Sequence, residues 1–364
     1  MKYFFLITIL LLITGCSSDD TAASETPIAS DTDGAIYFPP IGPDDWETVS
    51  LDALGWDTDA ESALLDFLAA NGTKAFLLLK DGKIALEAYP NGGQKNEAHP
   101  WYSVGKTLVS FSAGLAVQQN RLLLNEPSST YLGTGWSSLE NTQEIAITVK
   151  DHLQMTSGLD FNVSNTNCTD AECLTFLNTP GGFWYYHNAP YTLTQKIIGE
   201  AVGEAFEPYF ERNLKNMIGM EGEWVTLGFA NIYYSNARSM ARFGLLNLNQ
   251  GQWEDTPVLG DLEYFEQMTS TSQPMNKAYG YFWWINGAAD YRLPGSEQQF
   301  DGKLIPNAPD DLIAGLGKND QKLYVVPSEG IVVVRMGESA DEPTLGPSGF
   351  DNALWEKINV LINR

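Results

Sequence analysis

Strand patterns lie near both ends of the chain, whereas helix patterns occupy its middle. An early hairpin is predicted at Asp81-Gly82, because Asp-Gly between two apolar runs is a strong turn signal. The predicted strands cover residues 73–79, 84–89, 279–285, 312–317, 322–326 and 331–336. The predicted helices cover residues 61–71, 103–120, 148–158, 193–202, 208–217, 235–250 and 352–362. This order predicts an α+β fold, in which both chain ends build one antiparallel sheet, flanked by helices, with a mostly helical insert at about 121–275.

The chain has 364 residues, of which 43% are hydrophobic, enough for one large domain or two interleaved subdomains. Its 46 acidic and 21 basic residues give a formal net charge of −25. Such an acidic protein is repelled by nucleic acid and by anionic lipid surfaces, so we expect neither as a partner. The sequence carries no signal for a particular oligomeric state.

The N-terminal segment combines one basic residue, Lys2, with an apolar run that ends close to Cys16. The run is too short to span a bilayer but suits an export signal. Ile13-Thr14-Gly15-Cys16 resembles a bacterial lipobox, which implies cleavage before Cys16 and lipid attachment there; an ordinary signal peptide is the alternative. Since Ser17 follows, the resemblance favours anchoring to the outer membrane of the cell envelope, facing the periplasm. We predict a signal peptide over 1–15, a flexible tether over 16–45 and the folded domain over 46–364.

The segment Ser103-Val104-Gly105-Lys106 is the only Ser-x-x-Lys in the sequence. If a helix begins near Ser103, the two side chains lie one turn apart on the same face. An amine beside a hydroxyl can take its proton, provided that burial and the helix N-terminus keep the amine partly neutral. The spacing therefore predicts a serine nucleophile, although chance gives such a pattern about once in a chain of this length.

An activated serine also needs a proton shuttle and donors for a developing oxyanion. The sequence has no Gly-x-Ser-x-Gly elbow, which disfavours an α/β-hydrolase triad. A tyrosine could complete the site, and three Tyr-x-Asn triplets begin at Tyr89, Tyr186 and Tyr234. Ser157, in Thr-Ser-Gly, is a competing nucleophile, but it has no base at helical spacing.

Cysteine and histidine positions constrain redox and metal chemistry. We predict a local disulfide between Cys168 and Cys173, which an exported compartment permits, with a free reduced pair as the alternative. The three histidines, at positions 99, 152 and 187, are far apart, and neither His-x-x-x-His nor Cys-x-x-Cys occurs. We therefore expect no metal site and no cofactor.

The ordered motifs resemble the serine β-lactamase and penicillin-binding-protein superfamily, in the branch of class C β-lactamase-related hydrolases and esterases. The resemblance extends from about Thr73 to the C-terminus. In family order, the chain carries Lys80-Asp81-Gly82-Lys83, Ser103-Val104-Gly105-Lys106, Ile147-Thr148, Thr156-Ser157-Gly158, Tyr186-His187-Asn188, Gly219-Met220, Ala241-Arg242-Phe243-Gly244 and Tyr279-Gly280-Tyr281. The family's Tyr-x-Asn precedes a helix pair that ends in Gly-Met, which selects the triplet at Tyr186.

By this resemblance, Ser103 is the acylated nucleophile, Lys106 and Tyr186 share the roles of base and acid, and Asn188 binds substrate. The oxyanion hole would combine the backbone N–H of Ser103 with one from a late strand. The family's third motif, Lys-Thr-Gly or His-x-Gly, is missing, and either Gly315-Leu316-Gly317 or Lys318-Asn319 could occupy its place.

This departure shifts the expectation from β-lactams and D-amino-acid peptides toward other esters or amides, with a small-molecule or peptide-like substrate. The alternative from another functional class is a lipid-anchored binding or sensor module on the same fold, which would not turn over.

Overall fold

The computed structural model describes Met1 and residues 35–42, 45–340 and 345–364. The predicted signal peptide, Cys16 and most of the predicted tether lie outside the described residues. Among the described residues, no helix is long and apolar enough to cross a membrane. The strands are β1 Thr73–Lys80, β2 Lys83–Ala88, β3 His99–Pro100, β4 Glu223–Leu227, β5 Ala230–Ser235, β6 Gln252–Trp253, β7 Thr256–Pro257, β8 Trp284–Ile285, β9 Asp290–Arg292, β10 Gln299–Asp301, β11 Ile313–Gly317, β12 Gln321–Val326 and β13 Ile331–Gly337.

The α-helices alternate with these strands and are concentrated in the middle of the chain. They are α1 Glu61–Ala70, α2 Gly105–Gln118, α3 Ser129–Leu132, α4 Asn141–Glu144, α5 Val149–Leu153, α6 Asn188–Val202, α7 Phe206–Phe210, α8 Ala237–Leu248, α9 Leu262–Thr269 and α10 Gly349–Leu361. A π-helical turn, Glu211–Lys215, continues α7.

Six strands form an antiparallel sheet in the order β2-β1-β13-β12-β11-β8. The early strands therefore pair with the late ones: Phe76 of β1 lies opposite Arg335 of β13, and Leu79 lies opposite Val332. Buried residues run continuously along both strands, as expected for strands that are covered on both faces. The predicted sheet from both chain ends, and with it the α+β fold, is confirmed.

Helices cover both faces of this sheet. Tyr324 and Leu323 are neighbours on β12, so their side chains point to opposite faces. The Tyr324 ring meets Trp355 of α10, with centroids 5.7 Å apart, whereas a Cβ on Gly244 of α8 would lie 2.8 Å from a Leu323 methyl carbon. Helices α10 and α8 therefore lie on opposite faces, and α8 approaches so closely that a larger residue at 244 would force the side chains of Leu323 and Val332 to move.

Two predicted elements are shorter in the structure. The strand over 279–285 is limited to Trp284–Ile285, because Phe282 has φ of 61° and the chain turns tightly before it pairs. The helix over 148–158 begins after the predicted N-cap Thr148 but ends at Leu153, since Met155 has φ of 61°. A left-handed residue cannot continue either element.

The insert contains a sheet that the sequence analysis does not predict. Strands β4 and β5 form a hairpin, and β3 pairs with β5 to make a three-stranded sheet. Burial alternates along β5, but its buried residues are Asn231, Tyr233 and Ser235, so the sequence shows no alternation of apolar and polar residues. Gly228, with φ of 63°, lies in the turn between the two strands and is the signal that could have indicated the hairpin.

The folded domain begins earlier than the predicted boundary at residue 46 and includes Ile36. The Tyr37 N–H donates to the Asp81 carbonyl at 2.9 Å. The Arg242 guanidinium donates to the carbonyls of Pro39 and Pro40, at 3.3 and 2.8 Å. Residues 36–42 are therefore bonded to the first hairpin and to α8 instead of belonging to a free tether.

A buried charge cluster ties the late strands to α10. The Lys322 side chain has no solvent exposure, and its Nζ lies 3.2 Å from Asp320 Oδ1 and 3.0 Å from Asp351 Oδ2. Asp351 forms a capping box with Ser348 at the start of α10. Because Asp320 belongs to the turn between β11 and β12, the cluster holds this turn against the helix.

Lys322→Met removes the cation from between two buried carboxylates, so we expect the free energy of unfolding to fall by about 3–5 kcal/mol. Urea denaturation followed by circular dichroism measures the loss. The matched control is Lys357→Met, which removes a lysine that pairs with Glu356 at the surface and is expected to change stability by less than about 1 kcal/mol. Equal stability of the two variants would contradict the role of the cluster.

Candidate active site

Ser103 lies in a 3₁₀ turn, Tyr102–Val104, that leads directly into α2. Trp101 anchors the turn: its N–H bonds to the Tyr233 carbonyl at 2.8 Å, and its indole N–H donates to Ser235 Oγ at 2.7 Å. Tyr102 has φ of 47°, a conformation that costs on the order of 1–3 kcal/mol outside glycine. The contacts of Trp101 with β5 hold this strained turn, which presents Ser103 to a pocket.

Lys106 follows Ser103 by one helical turn, and its Nζ donates to Ser103 Oγ at 3.1 Å. The same amine donates to Asn188 Oδ1 at 3.0 Å. Only 3% of the lysine is exposed, and this burial lowers the pKa of Lys106 to about 7. An amine with this pKa is partly neutral near pH 7, which is the condition that a general base must meet.

Tyr186 lies immediately before α6, with its ring centroid 5.1 Å from Lys106 Nζ. Its ring stacks on Trp284 at 5.9 Å. Burial raises the pKa of Tyr186 well above its usual range, and a hydrogen bond with Ser103 opposes the rise. The phenol therefore keeps its proton at neutral pH and can donate it.

Asn188 is the first residue of α6, and its side-chain amide oxygen accepts the hydrogen bond from Lys106. His187, between Tyr186 and Asn188, points elsewhere: it lines a separate small cavity with Ser157. Burial lowers the pKa of His187 to about 4, so the imidazole is neutral at pH 7. Within the described ranges, no group of three or more His, Cys, Asp or Glu side chains could hold a metal ion.

Strand β11 runs against the Ser103 turn at the place of the third motif. A Cβ on Gly315 would lie 2.9 Å from Val104 Cγ1, and one on Gly317 would lie 2.7 Å from the Trp101 carbonyl oxygen. Neither position can hold a larger residue without movement of the turn. Lys318, directly after the strand, is exposed and lines the same pocket as Ser103.

The pocket has a volume of about 250 Å³ and brings together Ser103, Lys106, Asn188 and Lys318. Its other lining residues are Tyr102, Asn167, Tyr191, Thr192, Ala230, Asn231, Ile232 and Leu345. Sequence reasoning missed Asn231, because it lies on the unpredicted hairpin. It also missed Tyr191, whose position one turn after Asn188 on α6 was the available signal.

Cys168 and Cys173 form a disulfide in the structure, with an S–S distance of 2.02 Å. The bridge lies directly after Asn167, which lines the pocket. The preceding residue, Thr166, accepts a hydrogen bond from the Ala189 N–H at 3.0 Å, which ties the loop to the start of α6.

The alternative site residues from the sequence, in the other two Tyr-x-Asn triplets and at Ser157, lie outside this pocket and make contacts that stabilise the fold. Asn91 donates to the carbonyls of Ala69 and Thr73 at the end of the first hairpin. Asn236 caps α8 by accepting from the Ser239 N–H at 2.8 Å. Ser157 is buried in the chain turn after α5, where its Oγ accepts from the Leu159 N–H at 3.4 Å.

Comparison with known proteins finds one family for this architecture and site. Residues 68–353 match the family described as Beta-lactamase. A provisionally named beta-lactamase from Bacteroides dorei superposes with a TM-score of 0.66 at 16% identity, covering 85% of this chain and 100% of that one. A provisionally named 6-aminohexanoate-dimer hydrolase from Bacillus anthracis gives a TM-score of 0.65 at 19% identity, covering 87% of this chain and 86% of that one. EstCE1, a hydrolase with promiscuous acyltransferase activity, gives 0.59 at 13% identity, covering 85% and 99%.

These structural likenesses, all at low identity, show the fold, and the family match extends over more than half of the chain. Together with the motif order, they confirm the resemblance. The chain belongs to the Beta-lactamase family, within the serine β-lactamase and penicillin-binding-protein-like superfamily, and is an enzyme of the serine hydrolase class.

Proposed function

We propose that this protein cleaves an ester or amide through an acyl-enzyme formed on Ser103. The observation that carries the proposal is the 3.1 Å hydrogen bond between the buried Lys106 Nζ and Ser103 Oγ, two residues that line the same pocket. Burial brings the pKa of Lys106 to about 7, so a neutral amine is available to accept the serine proton. No carboxylate or histidine is needed in this arrangement.

The two ionisable neighbours of Ser103 divide the proton transfers between them. Ser103 Oγ attacks the substrate carbonyl carbon while its proton passes to Lys106 Nζ. The bond from that carbon to the leaving oxygen or nitrogen breaks, and Tyr186, which keeps its proton at neutral pH, protonates the leaving group. The phenol regains its proton from Lys106. Water then adds to the acyl carbon and gives a proton to Lys106. The bond from that carbon to Ser103 Oγ breaks, and Lys106 returns the proton to Ser103 as the acid product leaves.

The third-motif strand supports an ester or amide substrate over a β-lactam. Gly315 and Gly317 leave no room for a cationic side chain on β11, so this strand provides only backbone donors beside Ser103. A backbone N–H from the Gly317–Lys318 segment, with that of Ser103, would form the oxyanion hole. Asn188 and Lys318 would contact the substrate, because both line the pocket.

The cellular location of this activity is also a proposal. The lipobox-like stretch ending at Cys16 supports an enzyme anchored by lipid to the cell envelope. The disulfide between Cys168 and Cys173 supports an oxidising, exported compartment.

Ser103→Ala is expected to abolish covalent labelling by a fluorophosphonate probe, because the attacking oxygen is lost. Intact-mass spectrometry of the purified full chain measures the adduct. The matched control is Ser157→Ala, which removes the competing serine and should still give a single adduct. Labelling of Ser103→Ala at the wild-type rate would exclude Ser103 as the nucleophile. An adduct on the wild type without turnover of esters, amides or β-lactams would favour the binding-module alternative.

The rate of acylation is expected to rise as the pH increases through about 7, because Lys106 acts as a base only after it loses its proton. Hydrolysis of a p-nitrophenyl ester between pH 5.5 and 9 measures this acid limb. Lys106→Arg keeps a permanent cation at this position, and its rate should fall by about a hundredfold or more at every pH. A wild-type rate that does not change across this pH range would contradict the role of Lys106.

A further inference from the structure

The Lys106 amine is buried without a carboxylate partner. No described residue forms an ion pair with it, and its burial lowers its pKa. Its two hydrogen-bond acceptors, Ser103 Oγ and Asn188 Oδ1, are neutral. An ammonium group in such a place needs another source of negative potential if its protonated state is to occur during the reaction.

The face of the Tyr191 ring supplies such a potential. Its centroid lies 4.2 Å from Lys106 Nζ, closer than the Tyr186 ring at 5.1 Å. The π-face of an aromatic ring carries partial negative charge, and its attraction for a cation is strongest where water is excluded. Tyr191 follows Asn188 by one turn of α6, so the helix delivers both groups to the same amine.

Two contacts fix the orientation of this ring. Gln195 Nε2 donates to Tyr191 Oη at 3.2 Å, and Gln195 Oε1 accepts from Asn231 Nδ2 at 3.0 Å. The ring also makes a T-shaped contact with Phe282, with centroids 5.5 Å apart. The phenol is thus held at its far end, while the ring face remains directed at Lys106.

We propose that Tyr191 is a positioning residue of the active site, whose ring face stabilises the protonated state of Lys106 and holds the amine against Ser103 and Asn188. The proposal rests on the proposed function only in treating Lys106 as the base. The other titratable groups near the amine are Tyr186, which precedes α6, and two residues that line the pocket, Tyr102 before Ser103 and Lys318 after β11. None of them carries negative charge at neutral pH, because burial raises the pKa of both tyrosines and a lysine side chain is never an anion.

The test changes the charge distribution of the ring and keeps its shape. Tyr191→Phe retains the ring and loses the hydroxyl; 3,4,5-trifluorophenylalanine at the same position also withdraws electron density from the ring face. The full chain is labelled with [¹³Cε]lysine, and the Lys106 signal, identified by its loss in Lys106→Met, is titrated by NMR. We expect Tyr191→Phe to keep the wild-type midpoint and the fluorinated ring to lower it by about one pH unit.

A matched control places the same fluorinated residue at Phe282, which touches Tyr191 but is not among the aromatic rings over Lys106. Its midpoint should equal that of the wild type. An unchanged or raised midpoint with the fluorinated ring at 191 overturns the proposal, and so does an equal shift from position 282.

Ester hydrolysis by the same variants separates this inference from the proposed function. The acid limb of the rate should move to lower pH together with the NMR midpoint, because the amine then loses its proton more readily. A shifted midpoint in a protein that never acylates Ser103 would leave the inference standing and refute the function. Ester turnover with an unchanged NMR midpoint of Lys106 would support the proposed function and overturn the inference.

Discussion

The pairing of β1 with β13 is the constraint on which the rest of the molecule depends. It joins residues near the two ends of the chain into one sheet, and helix α8 of the insert packs on one face of this sheet. The order of the remaining strands then brings β11 beside the Ser103 turn, where Gly315 and Gly317 allow direct contact. The serine and its third-motif strand are more than 200 residues apart in sequence, so the site exists only when the whole sheet has formed.

Burial, acting on two different groups, produces the chemistry of the site. It disfavours the charged form of each group, so it lowers the pKa of Lys106 and raises that of Tyr186. Near neutral pH a partly neutral amine and a neutral phenol therefore lie beside the Ser103 hydroxyl. A base and an acid are available together without an ion pair, which would be costly to bury. Asn188 Oδ1 and the aromatic faces then suffice to orient the amine.

Local signals predicted most of the fold and the centre of the site. The Asp81-Gly82 turn and the apolar late strands can each be predicted from a few neighbouring residues. The same is true of the contact between Ser103 and Lys106, which follows from their spacing on one helix. The hairpin that contains Asn231 was not predicted, because the residues that β5 buries include Asn231 and Ser235, and its sequence does not alternate between apolar and polar residues. The strand predicted over 279–285 was too long, because aromatic residues there favour a strand while Phe282 adopts a left-handed turn.

The place of the third motif shows why residue identity in one strand decides what the pocket can recognise. A lysine or histidine on β11 would need space between the strand and the Ser103 turn, and Val104 Cγ1 already occupies it. With Gly315 and Gly317 at these positions, β11 has no charged side chain here, and its backbone lies close to the Ser103 turn. Backbone donors stabilise an oxyanion on any acyl group. They do not bind a substrate carboxylate that lies away from the reacting carbonyl. Among the residues that line the pocket, Lys318 is the exposed basic residue that could attract a substrate anion, in a protein whose net charge is −25. Since an exposed lysine attracts anions more weakly than a buried one, we expect the proposed hydrolase to select substrates largely by the shape and neutral polar lining of the pocket.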